Sequence, residues 1–436
     1  MIKLVKVITR KNLAAFTIII ILFLLVACVD PPYESLQAIE EAAQTICTEE
    51  ITVDEDDTVW LEDNIEEELH IDSLLKTFFA NEIEEHRFAV AGLSATVFTR
   101  DSLILEFQHG YENMELENEI DYNTVFEWGS ITKLLVYISA MQLYEQGALD
   151  LHADIFDYIS QDDFSNIIYS TTMYHLINHT AGFDDLIAVE SMRLLMRPYD
   201  EEIPEFEEVL KDISGMEFTA QNRPPGEQVK YSNYGVALAA HVIEQISGIP
   251  FYEYVHDNIF NPLAMTQTSL LPDSRDNYWV RSQRENINSY EGHLGWIQQR
   301  HYVTLYPAGA AVGTISDLVK FGRALFPNDN EDSLLFENPE TMEHFYPSFD
   351  SFQYLQHCVL SNLTFVYGFI VDSFNGDNPT RILGHSGGTR GFYTHFILNI
   401  DKGIGIIISS NSPPVYSLQA RPGFLVELIE ITFGTQ

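Results

Sequence analysis

The run Leu134-Leu135-Val136-Tyr137-Ile138-Ser139-Ala140-Met141-Gln142-Leu143-Tyr144 limits the architecture more than any other stretch of the chain. Its apolar residues go almost all the way round a helix, a pattern that suits burial within a domain rather than at its surface. Gly147 supplies a stop. Directly upstream stand Phe126-Glu127-Trp128-Gly129-Ser130-Ile131-Thr132-Lys133, which put Ser130 and Lys133 three residues apart and on one helical face. The first N–H groups of a helix are unpaired and favour incoming negative charge. Apolar surroundings disfavour an ammonium and make Lys133 a better proton acceptor. A nucleophile, a base and electrophilic backbone thus converge in one turn. The spacing alone is weak evidence. It recurs at Ser73-Leu74-Leu75-Lys76, in an acidic context where a solvated pair is the better reading.

The chain's 436 residues are 46% hydrophobic, enough for a large core and one to three domains. A formal net charge of -42 argues against nucleic acid, anionic polymers and anionic lipid head groups as partners.

Lys3, Lys6, Arg10 and Lys11 form a basic start, followed by the apolar run from Leu13 to Ala27. That run is shorter than the ~20 residues of a spanning helix. It ends in Leu25-Val26-Ala27-Cys28, which resembles the lipobox of bacterial lipoproteins. The resemblance implies cleavage before Cys28, lipid on its sulfur and a body held outside the cytoplasmic membrane. An uncleaved anchor would leave the body on the same side. The expected division is a signal segment over 1–28, an acidic tether over 29–69 and a catalytic domain over 70–436. Cys47 and Cys358 could form one disulfide, and the sequence leaves their pairing open. No cysteine spacing suits zinc, and neither a metal nor a cofactor is expected.

Leu74 to Phe88 has helical periodicity. Val90 to Thr99 and Leu103 to His109 read as strands joined by a turn at Arg100-Asp101-Ser102. His175 and His179 are four residues apart, but Leu176 stands where a zincin has glutamate, so a structural role is expected. Glu201 to Asp212 reads as an acidic, solvent-facing insertion. Helices are expected over Val236 to Ser247 and Phe251 to Phe260, and after an N-cap at Ser316. Ile382 to Gly388, Phe392 to Ile400 and Gly403 to Ser409 read as strands. Leu425 to Phe433 reads as a closing helix. The fold class is therefore α+β: an antiparallel five-stranded sheet flanked by helices, with a mixed helical lobe inserted at about 120–375.

Three motifs follow in order: Ser130-x-x-Lys133, Tyr231-Ser232-Asn233 and His385-Ser386-Gly387. Between and around them lie Leu176-Ile177-Asn178-His179-Thr180-Ala181-Gly182, Pro225-Gly226-Glu227 and Gly384-His385-Ser386-Gly387-Gly388. Together these resemble the serine β-lactamase and penicillin-binding-protein family, in its class C-related branch. The resemblance covers about residues 70–436. It implies a β-lactamase/transpeptidase-like fold. It also implies that Ser130 is acylated and that Lys133 and Tyr231 move protons. By the same likeness Asn233 and His385 meet substrate, Gly387 lies along it, and the N–H groups of Ser130 and Gly388 form an oxyanion hole. The chemistry agrees, since acyl transfer needs an activated hydroxyl, a base and donors for the oxyanion. Paired glycines let substrate lie against a strand edge.

Gly384-His385-Ser386-Gly387-Gly388 also fits the G-x-S-x-G elbow of α/β-hydrolases. That fold needs an acid and then a histidine after the serine, and no histidine follows His395. In β-lactamases proper, lysine stands where this chain has His385 and meets the substrate carboxylate, so strong β-lactamase activity is not expected. The expected function is an extracytoplasmic, lipid-anchored serine hydrolase. Its substrates would be D-amino-acid peptides, esters or β-lactams, small molecules or peptides in each case. The alternative is a catalytically weak penicillin-binding or regulatory protein on the same fold. The sequence leaves the oligomeric state open.

Overall fold

The structure is a computed structural model. It describes residues 73–78, 81, 90–185, 196–198, 202–291, 296–297, 300–326, 334–338, 340–341, 363–366, 369–373 and 381–412. Two compact units are distinguished. The smaller comprises residues 1–90, 103–107 and 414–436. Its described part includes a helical turn over 73–78, with Leu75 and Phe78 buried and both Ser73 and Lys76 exposed. All else described below belongs to the larger unit, apart from the first half of one strand.

The chain begins with β1 (Gly92–Thr99), β2 (Leu103–Asn113) and β3 (Asn118–Glu119). Its middle has only short strands: β4 (Val125–Glu127), β5 (Met196–Pro198), β6 (Thr268–Ser269), β7 (Tyr290–Glu291), β8 (Trp296–Ile297), β9 (His301–Val303) and β10 (Val312–Thr314). The long strands return as β11 (Leu363–Val366), β12 (Phe369–Ser373), β13 (Arg381–Gly388), β14 (Tyr393–Asn399) and β15 (Ile404–Ser410). The helices are α1 (Lys133–Glu145), α2 (Met173–Ile177), α3 (Phe206–Ser214), α4 (Asn233–Ser247), α5 (Phe251–Val255), α6 (Tyr278–Arg284) and α7 (Ile315–Ala324).

The main sheet runs β11-β12-β13-β14-β15-β1-β2-β3. All five expected strands are present, and the α+β class holds, but the sheet has eight strands rather than five. The additions are the two-residue β3 and the β11–β12 hairpin. In that hairpin Phe365 lies opposite Ile370 in antiparallel register. β1 lies antiparallel to β15, with Thr96 opposite Ile407. Seven of its eight residues are buried rather than alternate ones, so both faces of this strand are covered.

α1 is buried from Lys133 through Leu143, as its all-round apolarity requires. It packs against α4, while α7 covers β1 and β15. Phe98 of β1 fills the gap between these layers. A Cβ on Gly322 of α7 would lie 2.7 Å from its ring, and one on Gly405 of β15 would lie 2.2 Å from it.

Three local expectations are corrected. The Glu201 to Asp212 stretch is not wholly a solvated insertion. α3 buries Phe206, Val209, Leu210 and Ile213, one helical face with the acids opposite. The cap of α7 is Thr314, which accepts from Asp317 N, rather than Ser316. Ser130 lies in a 3-10 turn, Gly129–Thr132, ahead of α1 rather than in its first α turn. The tether, the closing helix over 425–433, residues 79–80 and 82–89 of the first expected helix, Cys28, Cys47 and Cys358 lie outside the described residues.

Candidate active site

β4 pairs with β10 and leads into Trp128, whose N–H donates to the Ala311 carbonyl at 2.8 Å. Gly129 then adopts φ +52°, a left-handed conformation that turns the chain into the 3-10 segment. Thr132 ties this turn down. Its hydroxyl donates to Gly129 O at 2.6 Å and accepts from Ala311 N at 3.1 Å.

Lys133 is fully buried, with Nζ 3.0 Å from Ser130 Oγ. Nζ also donates to the carbonyl of Ala308, within the Tyr306–Ala308 turn. Burial lowers its pKa from 10.5 to about 7, while Asp185 pulls the other way. A large share of Lys133, about half, is therefore unprotonated at neutral pH and able to accept a proton.

The Tyr231 phenol hydrogen-bonds Ser130, and its ring centroid lies 5.0 Å from Lys133 Nζ. Burial raises the phenol well above its ordinary pKa of 10, more than the Ser130 bond lowers it. Burial, rather than the neighbouring amine, decides the state of the phenol. Tyr231 thus stays protonated and can relay a proton without ionising first. His179 stacks on it at 4.4 Å between centroids. His179 Nδ1 accepts from Ser232 N at 3.2 Å, which leaves the proton on Nε2, 3.2 Å from Tyr137 OH. His175 instead completes a capping box with Thr172, so the two histidines diverge.

α4 begins at Asn233, with Ser232 as its N-cap, accepting from Gly235 N at 2.8 Å. No acid occupies the first turn of α4. Its exposed donors are met from another part of the chain. Asp185 Oδ2 accepts from Asn233 N at 2.9 Å and from Tyr234 N at 3.2 Å. Asp185 is 1% exposed; burial raises its pKa and these hydrogen bonds lower it. Sequence reasoning missed this residue. The one available signal was negative: a helix start lacking its own acid needs an acceptor from elsewhere. Asp185→Ala should destabilise the fold by about 2 kcal/mol through loss of this cap, read as a lowered denaturation midpoint. An unchanged midpoint would show that the contact carries no load.

β13 brings the last motif. His385 Nδ1 lies 2.9 Å from Ser386 O, and a carbonyl only accepts, so Nδ1 carries the proton. Nε2 is buried without a partner among the described residues. Burial and the neighbouring Lys133 lower the His385 pKa to about 3, so it is neutral. Its ring lies 6.2 Å from that of Tyr231. Ser386 points to the other face of the strand, as alternation demands, with Oγ 2.8 Å from His395 Nδ1. It sits in mid-strand opposite His395 rather than on a strand-to-helix elbow.

Gly387 presses on the Ser130 turn. A Cβ there would overlap the Trp128 carbonyl and lie 3.0 Å from Ser130 N. A Cβ on Gly129 would lie 2.5 Å from Gly388 N. The amides of Ser130 and Gly388 thus flank one glycine-to-glycine contact. Ser130, Lys133, Tyr231 and His385, spread over more than half the chain, surround one site. Asn233, partly buried, opens the helix beside it. Chemically this is a hydroxyl next to an amine that exchanges its proton near neutral pH and a protonated phenol, with two backbone amides at hand.

The family model described as Beta-lactamase matches residues 79–426. A penicillin-binding protein of Bacillus subtilis (strain 168) is 24% identical over 348 residues, 77% of this chain and 71% of that protein. The octameric penicillin-binding protein homologue from Pyrococcus abyssi superposes with a TM-score of 0.62 at 20% identity, covering 82% of this chain and 76% of its own. D-alanine carboxypeptidase AmpC from Burkholderia cenocepacia gives a TM-score of 0.61 at 16% identity, covering 84% and 99%. With a family model matched over most of its length and this fold, the chain belongs to the Beta-lactamase family.

Proposed function

We propose that the protein is a serine hydrolase that works through an acyl-enzyme. The observation that carries this reading is the buried Lys133 amine, near neutrality in pKa, 3.0 Å from the Ser130 hydroxyl. Lys133 takes the Ser130 proton as Oγ attacks a carbonyl carbon. The resulting oxyanion is held by the N–H groups of Ser130 and Gly388. Collapse breaks the amide or ester bond, and Tyr231 passes the proton from Lys133 to the leaving group. Water, activated by the same pair, then releases the acid and restores Ser130. Asn233 hydrogen-bonds the amide of the acyl part, and Gly387 leaves the strand edge open to it.

The relatives' names, penicillin-binding protein, beta-lactamase and D-alanine carboxypeptidase, support β-lactams and D-amino-acid peptides as substrates, and the acyl chemistry suits esters as well. The neutral His385 argues against efficient β-lactam hydrolysis. The basic start, the apolar run and Cys28 support a lipid anchor and action outside the cytoplasmic membrane. A fluorophosphonate probe followed by intact-mass measurement tests the chemistry. One adduct, mapped by proteolysis to the peptide carrying Ser130, is expected. An unmodified mass would favour the non-catalytic binding protein.

A further inference from the structure

The two amides assigned to the oxyanion come from different sheets. Ser130 follows β4, a member of the three-stranded sheet β4-β10-β6, whereas Gly388 ends β13 of the main sheet. Among the described residues no backbone hydrogen bond joins the Ser130 turn to β13. Gly129 and Gly387 let the two backbones approach, but a glycine permits a close contact without holding it. An oxyanion hole works only when both donors stand about 3 Å from one point, so their spacing must be set by other groups.

Glu127 stands where it can do this. Its Oε2 accepts from the Thr389 hydroxyl at 2.5 Å, across 262 residues of sequence. Its main-chain carbonyl accepts from the Thr394 hydroxyl of β14 at 3.1 Å. Side chain and main chain of one residue thus fasten the end of β4 to both sides of the β13–β14 hairpin. Glu127 precedes Ser130 by three residues, and Thr389 directly follows Gly388.

Both ends of this link are held. Glu127 Oε1 accepts from Arg284 Nη2 at 2.6 Å, and Arg284 Nη1 donates to the Pro272 carbonyl, which aims Oε2 at Thr389. The Thr389 N–H donates to Phe392 O at 3.0 Å across the hairpin turn, so Thr389 does not shift without carrying the Gly388 amide. The Arg284 and Glu127 side chains are 10% and 13% exposed, and hydrogen bonds to an ionised carboxylate are stronger than neutral ones.

We infer that Glu127 and Thr389 are positioning residues that set the distance between the Ser130 and Gly388 N–H groups, with Arg284 orienting the carboxylate. They act on the oxyanion through those amides. This rests on the reading of Ser130 as nucleophile and of the two amides as its oxyanion hole.

The test compares an ester with its thiono analogue, in which C=S replaces C=O. A hole shaped for oxygen serves sulfur poorly, so native kcat/KM should favour the ester. Thr389→Val removes the hydroxyl and keeps the side-chain shape. It should lower kcat for the ester about 10-fold, leave KM within about 2-fold, and shrink the ester-to-thionoester ratio by about the same 10-fold factor. Thr389→Ser should restore the ratio, and Glu127→Ala should reduce it further. Equal loss on both substrates would mark a merely structural contact and overturn the positioning role. So would no native preference, a native ratio in Thr389→Val, or a Thr389→Ser ratio as low as that of Thr389→Val. The fluorophosphonate adduct separates the two levels. With the native adduct on Ser130, an unchanged ratio removes only the positioning role, whereas absence of the adduct removes the acyl-enzyme reading beneath it.

Discussion

Ser130→Ala should end covalent labelling and lower kcat/KM by about 10⁴-fold or more, the largest effect of any single replacement. Nothing else at the site offers a second nucleophile. Lys133 is fully buried, with its Nζ held between Ser130 Oγ and the Ala308 carbonyl. Ser386 points to the opposite sheet face toward His395. Stability should change little, since Ser130 is only partly buried and loses one hydroxyl. Ser386→Ala should keep the adduct. The readout is intact mass after a fluorophosphonate chase, paired with ester turnover. An adduct surviving in Ser130→Ala but lost in Ser386→Ala would transfer the chemistry to the other face.

Lys133 gives the second large effect, and its sign with pH is fixed by its shift. The amine must be neutral to accept a proton, and its pKa is lowered to about 7. Below that value log kcat/KM for an uncharged ester should fall by about one per pH unit, and above it a plateau should follow. His385 titrates near 3 and His395 near 4, so neither makes a limb in this window. Lys133→Met should remove the limb and cost about 10³-fold in turnover.

The same shift predicts stability. The folded pKa lies below the unfolded value of about 10.5, so between about 7 and 10.5 the unfolded chain holds the extra proton. The native protein therefore gains stability as pH rises through that range. Below about 7 the buried ammonium keeps its full desolvation penalty. Lys133→Met should accordingly be more stable than the native chain at pH 6, and the gap should narrow toward pH 10. An acid limb retained in Lys133→Met, or a gap that widens with pH, would assign the titration to another group.

The legible parts of the site share one property: each was a short motif set in strong local structure. Ser130-x-x-Lys133 stood before an all-apolar run, and α1 is buried from Lys133 through Leu143. Gly387 and Gly388 stood in a strand, and the first of them presses against Trp128. The illegible parts are those where a residue's use depends on a distant partner. Asp185 reads as one acid among many, and only the fold brings it to the open end of α4. His179 was taken as structural, and it proved to be the ring on which Tyr231 stacks. The sheet was short by β3 and the β11–β12 hairpin because such brief strands show too few residues for a period to emerge.

By itself the sequence determined the α+β class and the burial of α1, and it named the side chains whose chemistry is proposed here, because these follow from local pattern and residue type. Tertiary structure alone decided their electrical states. It lowered the pKa of Lys133 to about 7, kept Tyr231 protonated and left His385 uncharged with an open acceptor. A pKa is set by how much water and which charges surround a group, and those neighbours come from segments far apart along the chain.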